Sequence, residues 1–182
     1  MQRTLDSLAL LGIAGVLAVA FWYQFVVGEL PCPLCALQRV GFVVAGTALV
    51  LNLRAGPSPA HYGLAILSAV AAGSASLRQI SLHVIPNTGH YGSALFGMHF
   101  YTWAFVGYGA LVVFCAVMLM LYPQPPEQAR RGVFATAQSS ALTMLACVLF
   151  LLLAAANTAS FLAECGLGPC PDNPVGYLWW PK

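Results

Sequence analysis

The residues best suited to chemistry are two cysteines in the sequence Pro-Cys-Pro-Leu-Cys at residues 31–35. Cys32 and Cys35 form a Cys-x-x-Cys pair, which can close into a small reversible disulfide. Thiol–disulfide exchange also requires one sulfur to be a thiolate. Cys35 is predicted at the start of a helix, where unpaired backbone N–H groups and the helix dipole favour a thiolate. Arg39 follows four residues later on the same helical face, so we expect it near this sulfur or near an electron acceptor beside it.

A zinc site is one alternative for such a pair, but it needs two further ligands at a suitable spacing. The second cysteine pair, Cys165 and Cys170, is spaced more widely than a usual zinc knuckle. We therefore predict no metal site. The other alternative is an incidental structural disulfide.

The second pair lies in a tail rich in glycine and proline. Cys165 and Cys170 enclose Gly-Leu-Gly-Pro, whose residues form turns and allow a small disulfide loop to close. An exposed disulfide here could accept electrons from a soluble dithiol protein and pass them to Cys32. The alternative is a structural disulfide that fastens the terminus, because redox activity depends on strain and access. Cys115 and Cys147 lie within apolar runs and are predicted to pack as small hydrophobic side chains.

The composition places these cysteines in an integral membrane protein. Hydrophobic residues make up 60% of the chain and charged residues only 7%, whereas about a quarter of the residues of a soluble domain are charged. Five stretches meet the length of about 20 apolar residues that a helix needs to cross a bilayer. They run approximately over residues 8–27, 36–53, 62–82, 100–122 and 134–163. We expect one all-α membrane domain over residues 1–182, surrounded by the lipid bilayer, and no nucleic-acid partner because the chain has no basic cluster.

Positive charges in the short connections indicate the orientation. Arg3, Arg54, Arg130 and Arg131 fall on one side of the predicted spans, which favours a cytoplasmic N-terminus. Five spans then place both cysteine pairs and the tail at 164–182 on the opposite face, which in a bacterium is the oxidising periplasm. The first span is interpreted as an uncleaved anchor in the inner membrane, because its apolar run continues well beyond the small residues that resemble a signal cleavage site.

Polar side chains at the outward end of the third span are further candidates. Arg78, Gln79 and His83 lie there, and polar groups at membrane depth are often functional. Gln79 and His83 share a helical face, whereas the alternative for Arg78 is snorkelling to the lipid headgroups. The connection from Ser81 to Tyr101 is too apolar for a freely solvated loop, so part of it is expected at the membrane interface as a short amphipathic segment.

The run Pro-Cys-Pro-Leu-Cys-x-x-Gln-Arg after a first transmembrane helix resembles the DsbB family of quinone-reducing disulfide oxidases. The resemblance covers Cys32, Cys35 and Arg39 directly, and the hydrophobic pattern is compatible over roughly the first four spans. It implies a four-helix transmembrane bundle, here followed by a fifth transmembrane helix. It also implies ubiquinone or menaquinone as the cofactor, drawn from the quinone pool, and a periplasmic thioredoxin-like oxidase of the DsbA type as the partner. Arg78, Gln79 and His83 are candidate hydrogen-bond donors to the quinone.

The chain departs from the family pattern in its second cysteine pair. The usual family member carries this pair between the third and fourth spans, whereas here it follows the fifth. The predicted mechanism begins with attack of a partner thiolate on the tail disulfide, followed by exchange with Cys32–Cys35. Cys32 is taken as the outward sulfur, and Cys35, beside Arg39, as the one that reduces the quinone.

Two other classes of protein combine cysteines with a membrane. An enzyme similar to vitamin K epoxide reductase also joins Cys-x-x-Cys to a quinone, but its catalytic motif normally belongs to a later helix. A membrane metal or haem carrier would use cysteine pairs or paired histidines as ligands. Haem would colour the purified protein, and a bound quinone without metal would exclude the carrier.

Overall fold

A computed structural model describes residues 2–84, 89–122, 140–171 and 174–179. Its five helices are α1 (Gln2–Trp22), α2 (Pro33–Ala55), α3 (Pro59–His83), α4 (Phe100–Met120) and α5 (Ala141–Cys165). A π-helical segment, Tyr23–Val27, extends α1, and a small antiparallel hairpin of β1 (Ala94–Leu95) and β2 (Met98–His99) precedes α4. All five helices are long and apolar enough to cross a membrane. The prediction of an all-α integral membrane protein with a fifth transmembrane helix is confirmed.

Capping residues explain where the helices begin. The Ser58 hydroxyl accepts a hydrogen bond from the Ala60 N–H at 3.3 Å, and Pro59 suits the first helical position, so α3 begins before the predicted span. Ser140 caps α5 in the same way. Residues 134–139 of the predicted fifth span, together with Arg130 and Arg131, lie outside the described residues.

Small residues bring α2 close to its neighbours. A Cβ atom on Gly41 would lie 2.2 Å from the Ala72 Cβ on α3, and one on Gly46 would lie 2.2 Å from the Phe150 ring on α5. Helices in a membrane pack closely where such small residues meet. Helix α3 also packs against α4, and α1 packs against both α2 and α5.

The two ends of the bundle differ in their polar contacts. At the end where α1 begins, the fully buried Asp6 accepts hydrogen bonds from the Tyr62 hydroxyl at 3.0 and 3.1 Å. Ser7 contacts Thr143 of α5 at 3.1 Å between hydroxyl oxygens. We call this the Asp6 end, and the opposite end, which holds Cys32, Cys35, Cys165 and Cys170, the cysteine end.

Candidate functional site

The dithiol lies at the first turn of α2. Cys32 is the residue that caps this helix, and its sulfur accepts a hydrogen bond from the Cys35 N–H at 3.1 Å. Pro33 follows at the first helical position, where its missing N–H costs nothing. Cys32 and Cys35 form a disulfide with their Cα atoms 5.0 Å apart. The local sequence therefore closes the disulfide and starts the helix in the same turn.

Gln79 of α3 faces this disulfide. Its Nε2 atom lies 3.3 Å from the Cys32 sulfur and 3.6 Å from the Cys35 sulfur. Its Oε1 atom accepts a hydrogen bond of 2.8 Å from the Nε2 of Gln38. Because Gln38 occupies the oxygen, the amide of Gln79 turns its N–H groups toward the two sulfurs. A donor in this position stabilises a thiolate more than it stabilises a disulfide, because the charged sulfur is the better acceptor.

A cavity of about 350 Å³ lies beside the dithiol, between α1, the start of α2 and the start of α4. Most of its wall is apolar, formed by Val16, Leu17, Val19, Ala20, Phe42, Leu95, Phe100, Trp103 and Ala104. The polar part of the wall includes Cys35, Gln38 and Arg39. Cys35 and Arg39 thus line the same cavity, whose wall is mostly apolar and also includes Glu29.

The segment from Tyr91 to Leu95, which leads into the hairpin, contributes to the wall of this cavity. Glu29 accepts hydrogen bonds from the Ser93 N–H at 3.1 Å and from the Ser93 hydroxyl. The Tyr91 hydroxyl donates to the Leu30 carbonyl at 2.8 Å. These contacts join the segment before the hairpin to the turn between α1 and α2, which leads directly into the dithiol.

Arg39 is held on the side of the cavity nearest α1 and α5. Its Nη1 donates to Gln24 Oε1 at 2.5 Å and to Asn157 Oδ1 at 3.3 Å. Its Nη2 donates to the Ala20 carbonyl at 3.1 Å. Within the described part of the chain, these hydrogen bonds use acceptors on neighbouring helices rather than the Cys35 sulfur. The guanidinium therefore has a fixed position on the cavity wall.

The tail disulfide closes at the end of α5. Cys165 and Cys170 have Cα atoms 4.9 Å apart, and Cys165 is buried whereas Cys170 is half-buried. Leu167 in the loop between them is 98% exposed. The chain then returns to α5, where the Leu178 N–H donates to the Glu164 carbonyl at 3.2 Å. The Tyr177 hydroxyl also holds the tail in place, because it accepts a hydrogen bond from Gln24 Nε2 at 3.1 Å. Burial raises the pKa of this hydroxyl.

The other predicted residues lie in different places. Arg78 is exposed on α3 and is not part of the cavity wall, and Gln79 faces the disulfide. His83 stacks on the ring of Tyr101, with ring centres 5.5 Å apart, and Tyr101 in turn lines the cavity. Cys115 and Cys147 are buried free thiols, as the packing prediction requires.

Several polar residues of the site were missed by the sequence reasoning. Gln38 stands inside the recognised motif, between Cys35 and Arg39, and orients Gln79. Gln24 and Glu164 are polar residues within long apolar runs, a rarity that could have marked them as candidates. Their contact with one another depends on the packing of α5 against α1, which no sequence pattern specifies.

The chain is similar to known disulfide bond formation proteins over its first half. Residues 2–91 match the family model described as Disulfide bond formation protein DsbB. A relative named Disulfide bond formation protein B from Marinobacter nauticus is 43% identical over 89 residues, covering 47% of this chain and 53% of its own length. Relatives of the same name from Stutzerimonas stutzeri and Hahella chejuensis are 40% and 38% identical, covering 46% and 47% of this chain and 54% of their own length in each case.

The chain spans about half the length of these curated relatives. No solved structure matches it. The matched region contains the dithiol, Arg39 and Gln79, and it ends before α4 and the tail cysteines. The dithiol motif and this match over residues 2–91 assign the first half of the chain to the DsbB family of disulfide bond formation proteins.

Proposed function

We propose that this protein is a thiol:quinone oxidoreductase that reoxidises a periplasmic DsbA-like dithiol protein. In the net reaction, the partner dithiol becomes a disulfide, and ubiquinone or menaquinone takes up the two electrons and two protons as it becomes a quinol. The observation that supports this most strongly is that Cys35 and Arg39 line the same apolar cavity. The activity supplies oxidising equivalents for disulfide formation.

The cavity wall has the chemistry that a quinone requires. Its volume of about 350 Å³ falls within the range of about 300–1,000 Å³ of small-molecule pockets. Apolar and aromatic side chains suit a quinone ring with its isoprenoid chain, and Arg39 and Gln38 offer hydrogen-bond donors to ring oxygens. His83 supports the wall through Tyr101. Arg78, being exposed, has the weakest claim to a place in this site.

The chain's own residues divide the work at the dithiol. Cys35 lines the cavity, while Cys32 is only 6% exposed and lies against Gln79. Arg39 stabilises negative charge that develops at the cavity wall, since its position is fixed before reaction. Gln79 stabilises a sulfur released as thiolate. The segment from Tyr91 to Leu95 limits the access of water to the cavity.

The tail pair provides the entry point for electrons. A partner thiolate attacks Cys170, the more accessible sulfur, and the Cys165–Cys170 bond breaks with Cys165 leaving as the thiolate. The partner's second thiolate then attacks the mixed disulfide, leaving the partner oxidised and both tail cysteines reduced. These two thiols next reduce Cys32–Cys35 by the same exchange. Because Cys32 is buried here, we expect its surroundings to move in this step.

The proposal places the protein in the bacterial inner membrane with a cytoplasmic N-terminus and a periplasmic tail. A cysteine introduced at Pro57 should then resist an impermeant thiol reagent in intact cells, whereas one introduced at Val175 should react. Val175 is 96% exposed and suits this measurement. Labelling at Pro57 would reverse the orientation.

The function itself is tested by mixing the detergent-solubilised protein with quinone and a reduced thioredoxin-like oxidase. We expect quinone reduction matched by one partner disulfide per quinol formed. Cys115→Ser is the matched control, because it removes a buried free thiol that is not part of the cavity wall, and it should retain activity that Cys35→Ser loses. Equal activity in the two variants would contradict the proposal.

A further inference from the structure

A chain of buried polar side chains connects the tail to the cavity wall. Gln24, which is only 2% exposed, lies at its centre. Its Oε1 accepts the 2.5 Å hydrogen bond from Arg39, and its Nε2 donates to the Tyr177 hydroxyl at 3.1 Å and to Glu164 Oε2 at 3.5 Å. Both ends of one amide are thus used, one toward the cavity and one toward the tail.

Glu164 has an unusual environment in this chain of contacts. It is 3% exposed, and its Oε1 atom has no hydrogen-bond partner among the described residues. A carboxylate buried in an apolar protein is costly unless an opposite charge compensates it. The guanidinium of Arg39 carries the opposite charge. Gln24 lies between the two groups and contacts both.

Among the described residues, the other arginines are poorly placed to compensate the charge of Glu164. Arg3 and Arg54 lie at the Asp6 end, where α1 begins and α2 ends, and Arg78 is exposed on α3. Arg39 itself is directed to the α1 and α5 side by its three acceptors. The pairing of Glu164 with Arg39 through Gln24 therefore explains both the buried carboxylate and the orientation of the guanidinium.

We propose that Glu164 is a positioning residue for Arg39, acting through Gln24 to hold the guanidinium where it binds quinone. This inference rests on the proposed function. It assigns a role to α5, which lies outside the region matched by the DsbB family model. It also connects the two cysteine pairs, since Glu164 directly precedes Cys165, and the Leu178 N–H and the Tyr177 hydroxyl hold the returning tail against the same chain of contacts.

The test measures equilibrium binding of a short-chain ubiquinone to detergent-solubilised protein by quenching of tryptophan fluorescence, which needs no turnover. Trp103 lines the cavity and serves as a reporter. Glu164→Gln should raise the Kd for quinone by about tenfold, the size of effect expected when one charge-assisted contact is weakened. Asp6→Asn is the matched control, because it neutralises a buried carboxylate at the opposite end of α1, and its Kd should stay within about twofold of wild type.

A charge rescue separates positioning from a general structural effect. Adding Gln24→Glu to Glu164→Gln gives Arg39 a carboxylate in direct reach, so the double variant should return to within about threefold of the wild-type Kd. A Kd for Glu164→Gln equal to that of Asp6→Asn would overturn the proposal, as would failure of the rescue.

If Glu164→Gln does not fold, Gln24→Met decides the question, because it cuts the same connection and should also weaken binding by about tenfold. An unchanged Kd in that variant would contradict the role of Glu164. If the wild type binds quinone but oxidises no partner protein, the proposed function is wrong. The binding measurements on the variants would still decide whether Glu164 positions Arg39. A wild type that binds no quinone would contradict both.

Discussion

The two disulfides span nearly the same Cα distance and differ in their surroundings. Their Cα atoms are 5.0 and 4.9 Å apart. The Cys32–Cys35 pair begins a helix and faces the amide of Gln79, and its Cys35 lines a cavity. The Cys165–Cys170 pair ends a helix and encloses a loop with an exposed leucine. Position relative to a cavity or to solvent, rather than the bond itself, suits the first pair to a bound cofactor and the second to a protein partner.

The two pairs also differ in their relation to the DsbB family. The first pair lies inside the region that matches the DsbB family model, and the second lies outside it. The role of the tail pair therefore depends on its geometry alone: a half-buried Cys170, a buried Cys165 and a returning chain that contacts α5.

The largest expected effect comes from removing one tail cysteine. Cys165→Ser and Cys170→Ser should each lower oxidation of the protein partner by at least about a thousandfold, because the entry disulfide is lost. Both variants should still couple oxidation of a small dithiol to quinone reduction, since a small dithiol can attack the half-buried Cys35 without the tail disulfide. Cys35→Ser should lose both activities. Parallel assays with the protein partner and with dithiothreitol measure this division, and tail variants that oxidise the partner at the wild-type rate would show that the tail disulfide is structural.

The sequence was a good guide to the helices and to the dithiol, for physical reasons. Long apolar runs specify transmembrane helices, and Pro-Cys-Pro specifies a capped helix start, because both depend on local chemistry. The environment of Arg39 could not be predicted in the same way. Its acceptors Gln24 and Asn157 are distant in sequence and meet only through the packing of α1 and α5. Gln79 was predicted as a quinone ligand, and only the packing of α3 against α2 shows that its amide faces the sulfurs.

The next largest effect is expected at Arg39, whose guanidinium has a fixed position on the wall of the cavity that Cys35 also lines. Arg39→Lys keeps the charge but cannot reproduce a planar group that donates to Gln24, Asn157 and the Ala20 carbonyl together. We expect the variant to fold with both disulfides formed, and to lose on the order of 2–4 kcal/mol of transition-state stabilisation in kcat/KM for quinone. Steady-state kinetics over a range of quinone concentrations measures this change.

Arg78→Lys is the matched control for Arg39→Lys, because Arg78 is exposed and is not part of the cavity wall. Its kinetic constants should match those of wild type. If both arginine variants keep wild-type constants, Arg39 serves to anchor the helix in the membrane rather than to bind quinone.

The smallest expected effect is a change in the redox equilibrium of one pair only. In Gln79→Met, the N–H donor facing Cys32 and Cys35 is absent. A thiolate accepts hydrogen bonds more strongly than a disulfide sulfur, so the substitution should destabilise the reduced form more than the oxidised form. The difference should be about 1 kcal/mol, or roughly fivefold in the equilibrium constant, making Cys32–Cys35 harder to reduce.

Titration in redox buffers of dithiothreitol, with alkylation to count free thiols in each pair, measures this shift. The Cys165–Cys170 pair is the internal control, because its described contacts do not include Gln79. An equal shift in both pairs would indicate a general loosening of the fold, and no shift in either would mean that the amide does not tune the sulfurs. A shift confined to Cys32–Cys35 would show that α3, which carries Gln79, tunes the first pair separately from the second.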